Sequence, residues 1–72
     1  MKYHRLVVYP GRKMVPRIPE WMLFGEPTQV LLFKVHEGKV LETQLFLAHP
    51  VPGGPCIHGF THYAILPRYI RP

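Results

Sequence analysis

The sequence predicts an α/β (α+β) domain: a small, three-stranded, mainly antiparallel sheet with a hairpin at its centre. Three stretches carry that prediction. Residues 28–47, TQVLLFKVHEGKVLETQLFL, hold two strand-like runs on either side of His36-Glu37-Gly38-Lys39. The second run alternates strictly. Leu41, Thr43, Leu45 and Leu47 point one way, and Val40, Glu42, Gln44 and Phe46 the other, as in a half-buried strand. Residues 3–9, YHRLVVY, form a third run closed by Pro10-Gly11, strong turn punctuation after a segment rich in β-formers.

Taken in order, the first strand covers residues 3–9. Residues 12–19 contain Pro16 and Pro19 and read as an extended loop. Pro19-Glu20-Trp21-Met22-Leu23-Phe24 suits one helical turn, with proline at its start and a carboxylate near the positive end of the dipole. Trp21, Leu23 and Phe24 are expected to plug the core, and Gly25 and Pro27 stop the turn. The hairpin strands cover residues 28–35 and 40–47, with Glu37-Gly38 as the tight turn, because glycine accepts the positive φ that hairpin turns need. The first hairpin strand is apolar on both faces: Leu31, Phe33 and Val35 on one, Val30 and Leu32 on the other. Such a strand belongs in the middle of a layered sheet, and the rest of the chain has little with which to build a second cover. A homo-oligomer or a partner protein is therefore expected. Residues 48–60 are a Gly/Pro-rich loop. The C-terminal segment, residues 61–72, is ambiguous between strand and helix, since Pro67 suits only the first turn of a helix.

Length and composition narrow the function classes. The 72 residues make a single small domain, of a size that buries only about 60% of its unfolded surface and is marginal alone. No apolar run approaches the roughly 20 residues of a membrane span, so no membrane partner is expected. The N-terminus lacks the plan of a signal peptide, and a single cysteine, Cys56, precludes an internal disulfide; both suit a cytoplasmic protein. The net charge of +5 is uneven: Lys2, Arg5, Arg12, Lys13 and Arg17 all precede the first acid, Glu20. That end is expected to give weak, non-specific, salt-sensitive nucleic-acid binding, and no sequence motif for nucleic acid accompanies it. The chain has no aspartate, nothing that would orient a histidine beside Cys56, and no Gly-rich phosphate loop. It is not expected to be an enzyme.

The side chains that carry chemistry gather in one region. His49, Cys56, His58 and His62 lie in or beside the Gly/Pro-rich loop. Thiolate and imidazole are the ligands of soft and borderline metals. Cys56 and His58 are two residues apart, and His58 and His62 have the i, i+4 spacing of a helical pair, although Gly59 argues against a helix there. The spacing is not that of a zinc finger. Cys56, His58 and His62 are the candidate metal ligands, set against a plain reading as a free thiol and surface histidines.

Four segments resemble the nitrogenase iron–molybdenum cofactor biosynthesis family of cluster carriers, in its N-terminal portion only. Leu23-Phe24-Gly25-Glu26-Pro27 resembles the family's phenylalanine-glycine step, and residues 30–40, VLLFKVHEGKV, resemble its hairpin. His49-Pro50-Val51-Pro52-Gly53-Gly54 sits where the family has a loop, and Ile65-Leu66-Pro67-Arg68-Tyr69-Ile70 resembles a helix opening. The resemblance implies a truncated ribonuclease-H-like fold. It also implies a non-catalytic binding module for an iron–sulfur or iron–molybdenum-type cluster, with His49, Cys56 and His58 as cofactor-binding candidates. The chain departs from the family at Leu23, where the family usually has histidine. The alternative is a small basic structural subunit of a larger protein or ribonucleoprotein assembly.

Overall fold

A computed structural model of the chain describes residues 2–9 and 14–66. Four strands, β1 (His4–Arg5), β2 (Thr28–His36), β3 (Lys39–Ala48) and β4 (His62–Ile65), form one antiparallel sheet in the order β1-β4-β2-β3. The antiparallel sheet with its hairpin matches the expectation; it has four strands where three were expected, and the described residues contain almost no helix. The additional strand is β4, which inserts between β1 and β2. Among the described residues the only helix is a 3₁₀ turn at Glu20–Leu23, preceded by Pro19. The expected helix opening at Pro67 lies outside the described residues, and the ribonuclease-H-like topology is not established by the four strands.

The β2–β3 hairpin forms where the sequence places it. Thr28 pairs with Ala48 and His36 with Lys39, and the two residues between carry positive φ, 50° at Glu37 and 77° at Gly38, as a type I′ turn requires. The register shifts between Lys34 and Val35, which face Glu42 and Val40. Leu41 is thus the extra residue of a β-bulge on β3. Thr61 secures β4 against β2 at the same level. Its N–H donates to the Phe33 carbonyl at 2.9 Å, and its Oγ1 accepts the Val35 N–H at 2.9 Å. Thr61→Val, which leaves the Val35 N–H without that acceptor, should cost about 1–2 kcal/mol, measured as a lowered urea midpoint. An unchanged midpoint would mean that water satisfies the amide.

The expected first strand over residues 3–9 is shorter than its sequence suggests. Only His4 and Arg5 pair with β4, at Tyr63 and His62. Val7 instead makes an isolated bridge to Arg17, and Arg17 bridges on to Cys56. The Arg17 N–H donates to the Val7 carbonyl at 2.8 Å. On its other side this segment meets the Gly/Pro-rich loop: Ile18 N–H donates to Pro55 O at 3.2 Å, and Ile57 N–H to Pro16 O at 2.8 Å. This ladder of loops lies over one face of the sheet. It places Leu6, Ile18 and Ile57, with Leu23 from the 3₁₀ turn, against Val30, Leu32, Ala48 and Tyr63.

Leu23 is fully buried, as a core plug should be, but Trp21 and Phe24 are 71% and 84% exposed. The tight 3₁₀ turn sends successive side chains about a third of a turn apart, so Leu23 points inward, Met22 packs partly against the core and Trp21 points out. Phe24 also sits at φ 50°, which turns its side chain out as the chain leaves the helix.

Candidate functional site

The sheet has two unlike faces. Register puts Val30, Leu32, Phe46, Ala48, Tyr63 and Ile65 on the covered face. Leu31 and Phe33 of β2, Leu45 and Leu47 of β3, and His62 of β4 share the other face. No described element covers that second face. Leu41 and Leu45 are 60% and 58% exposed, and Leu47 is exposed as well. Tyr3 closes one end, its ring 5.3 Å from His62 and 6.1 Å from Phe33. The leucine side of β3, the side its alternation marks for burial, is thus the side left open. The covering loops dock on the opposite face, where β3 contributes Ala48 to the core cluster and Phe46 against it.

A second feature is an open groove of about 530 Å³ lined by Tyr9, Glu20, Trp21, Gly25, Pro50 and Gly53. Glu20 is the one carboxylate in its lining, and it already accepts the Gly53 N–H at 2.9 Å. Trp21, expected in the core, is instead an exposed wall of this groove. The groove can hold an apolar or aromatic group, but its lining has no nucleophile paired with a base.

The predicted ligands are not brought together. Cys56 is exposed on the loop ladder beside Arg17, and His58 is also exposed, with Ile57 between them turned into the core. His49 is exposed at the end of β3. His62 belongs to β4, where its Nδ1 lies 2.7 Å from Thr61 Oγ1 and its ring meets Tyr3 on the open face. Among the described residues no group of three or more His, Cys, Asp or Glu side chains is placed to hold a metal ion. With one thiolate per chain, this donor set does not fit an iron–sulfur or iron–molybdenum-type cluster within one chain. Anaerobic treatment with iron and sulfide should leave the isolated chain without a sulfur-to-metal charge-transfer band. A stoichiometric band that disappears in Cys56→Ser would reverse that assignment.

The basic cluster is likewise divided. Lys2 and Arg5 are exposed, whereas the Arg17 guanidinium is part-buried and donates to the Gly54 carbonyl at 2.8 Å. Arg17 thus serves the loop ladder. Arg12 and Lys13 lie outside the described residues. Among the described residues no helix is long and apolar enough to cross a membrane.

Comparisons with protein-family models, curated proteins and solved structures return no match.

Proposed function

We propose that this chain is a non-catalytic association module, a small subunit that joins a protein assembly through its open sheet face. The observation that carries the reading is the contiguous apolar surface of Leu31, Phe33, Leu45 and Leu47, closed by Tyr3. Soluble monomers rarely leave a large apolar patch uncovered. Each leucine left out of a protein interior forgoes roughly 1.5–3 kcal/mol of burial. Charge is nearly missing from the face. Register assigns it Arg5, opposite His62 at the β1 rim, so a partner has little charge to desolvate at its centre.

Oxidative footprinting with mass-spectrometric readout tests the reading. In extract of the native host, Tyr3, Leu45 and Leu47 should be protected several-fold relative to the isolated chain at nanomolar concentration. Leu47→Lys, outside the core and on the open face, should abolish the protection without changing the fold. Equal labelling of the face in extract and in isolation would end the association reading.

A further inference from the structure

The two edges of the sheet differ sharply. β1 is two residues long, while β3 runs for ten and, among the described residues, pairs with β2 alone. A long edge strand offers a row of unpaired N–H and C=O groups to any strand that matches it. We infer that β3 pairs with β3 of a second copy, antiparallel, about a two-fold axis midway between Thr43 and its copy. This rests on the association reading and names its first partner.

Self-complementarity of the strand carries the inference. A two-fold axis perpendicular to the sheet keeps both open faces on one side, and it must lie midway between a residue and its own copy, because opposed residues share a face. Around Thr43 the strand reads the same in both directions by chemical type: Leu41-Glu42-Thr43-Gln44-Leu45. The pairing sets Glu42 against Gln44 twice and Thr43 against its copy, and it brings the bulged Leu41 of each copy beside Leu45 of the other at the two ends of the ladder. Leu–Leu and Thr–Thr pairs are favourable across strands, and like charges directly opposed are not. An axis at Glu42 would oppose two carboxylates. An axis at Gln44 would set Glu42 against Phe46, and one at Leu45 would set Gln44 against Phe46. The bulge at Leu41 bends the strand beyond it and bounds the shared ladder.

The other edge limits the assembly to two copies. β1 has two paired residues, too short to template a further strand, so β3-to-β3 pairing closes as an isologous dimer and does not propagate. The dimer is one eight-stranded sheet. Its two leucine faces are joined into a single apolar platform twice as wide, with Leu41 and Leu45 of both copies at its seam.

The test uses the full chain, purified. Sedimentation equilibrium at micromolar concentration should give twice the 8.4 kDa chain mass. Thr43→Cys in a Cys56→Ser background should oxidise to a covalent dimer, since its copies would stand about 4.5–5.5 Å apart between Cα atoms, within disulfide reach. Lys39→Cys in the same background should not, because its two copies would be separated by eight residue steps, about 27 Å at 3.4 Å each. A monomer at 100 μM, or cross-linking through Lys39→Cys as readily as through Thr43→Cys, overturns the inference. A monomeric purified chain whose face is still protected in host extract would overturn the self-pairing alone and assign the face to a different chain. A monomer with no protection in extract would remove both.

Discussion

Gly54→Ala should abolish the cooperative unfolding transition of the isolated chain. Gly54 is buried at φ +89°, and a Cβ built on it would overlap the Ile18 carbonyl, with the Glu20 nitrogen close behind. The obstruction is backbone, so no rotamer change relieves it. It sits inside the ladder that holds the core layer, between the Pro55 carbonyl bonded to Ile18 N–H and the Gly54 carbonyl that accepts from Arg17. Relief requires residues 16–18 to part from the loop, which withdraws Ile18 and Ile57 from the core. The positive φ alone costs an alanine about 1–2 kcal/mol. Opening the ladder adds the exposure of two isoleucines at roughly 1.5–3 kcal/mol each. At roughly 0.05–0.15 kcal/mol per residue the whole domain holds on the order of 5 kcal/mol. Gly38→Ala is the control. Its glycine has φ +77° and nothing within reach of a Cβ, so it should lose only the backbone term. Circular dichroism through a thermal scan distinguishes the two. A Gly54→Ala transition at the Gly38→Ala midpoint would show that the loop is not structurally required.

The hairpin was legible in the sequence because its determinants are local: alternation in residues 40–47, a doubly apolar neighbour, and glycine where the turn needs positive φ. β4 was not legible, because its strand state is imposed from outside. Residues 62–65 are held by pairing with Val30–Phe33 on one side and with His4 and Arg5 on the other, while nearby Pro67 pulls a local reading toward helix. The open face was half legible. The doubly apolar β2 announced that two covers were needed. Which face would receive the one available depended on where Leu6, Ile18, Leu23 and Ile57 meet, residues scattered over fifty positions. The candidate ligands illustrate the same limit. Cys56, His58 and His62 are close in sequence, yet the chain passes from the loop ladder on one face into a strand whose His62 faces the other. Neighbours in the chain are thereby sent to opposite sides of the sheet.

Tyr63→Ala should destabilise the fold by about 3–5 kcal/mol, in the range of buried aromatic truncations, whereas Leu45→Ala should change the isolated chain by within about 0.5 kcal/mol. Among the described residues Tyr63 is the largest fully buried side chain, and Leu45 is 58% exposed. β2 lies between them, with Leu32 opposite Tyr63 on the covered face and Leu31 opposite Leu45 on the open one. The two substitutions therefore separate folding from association: the first lowers the urea midpoint of the isolated chain, and the second weakens only the dimer or the larger assembly. Tyr63→Phe completes the argument through pH. Burial, with a smaller contribution from Tyr9, raises the Tyr63 pKa above its ordinary 10.0. Above pH 10 the folded chain keeps a proton that the unfolded chain releases. Stability is then full below pH 10 and falls as pH rises further. Tyr63→Phe keeps the ring in the core and cannot ionise, so it should retain most of the neutral-pH midpoint and flatten the alkaline decline. An alkaline decline equally steep in Tyr63→Phe would place its origin in other groups and leave Tyr63 with packing as its whole contribution.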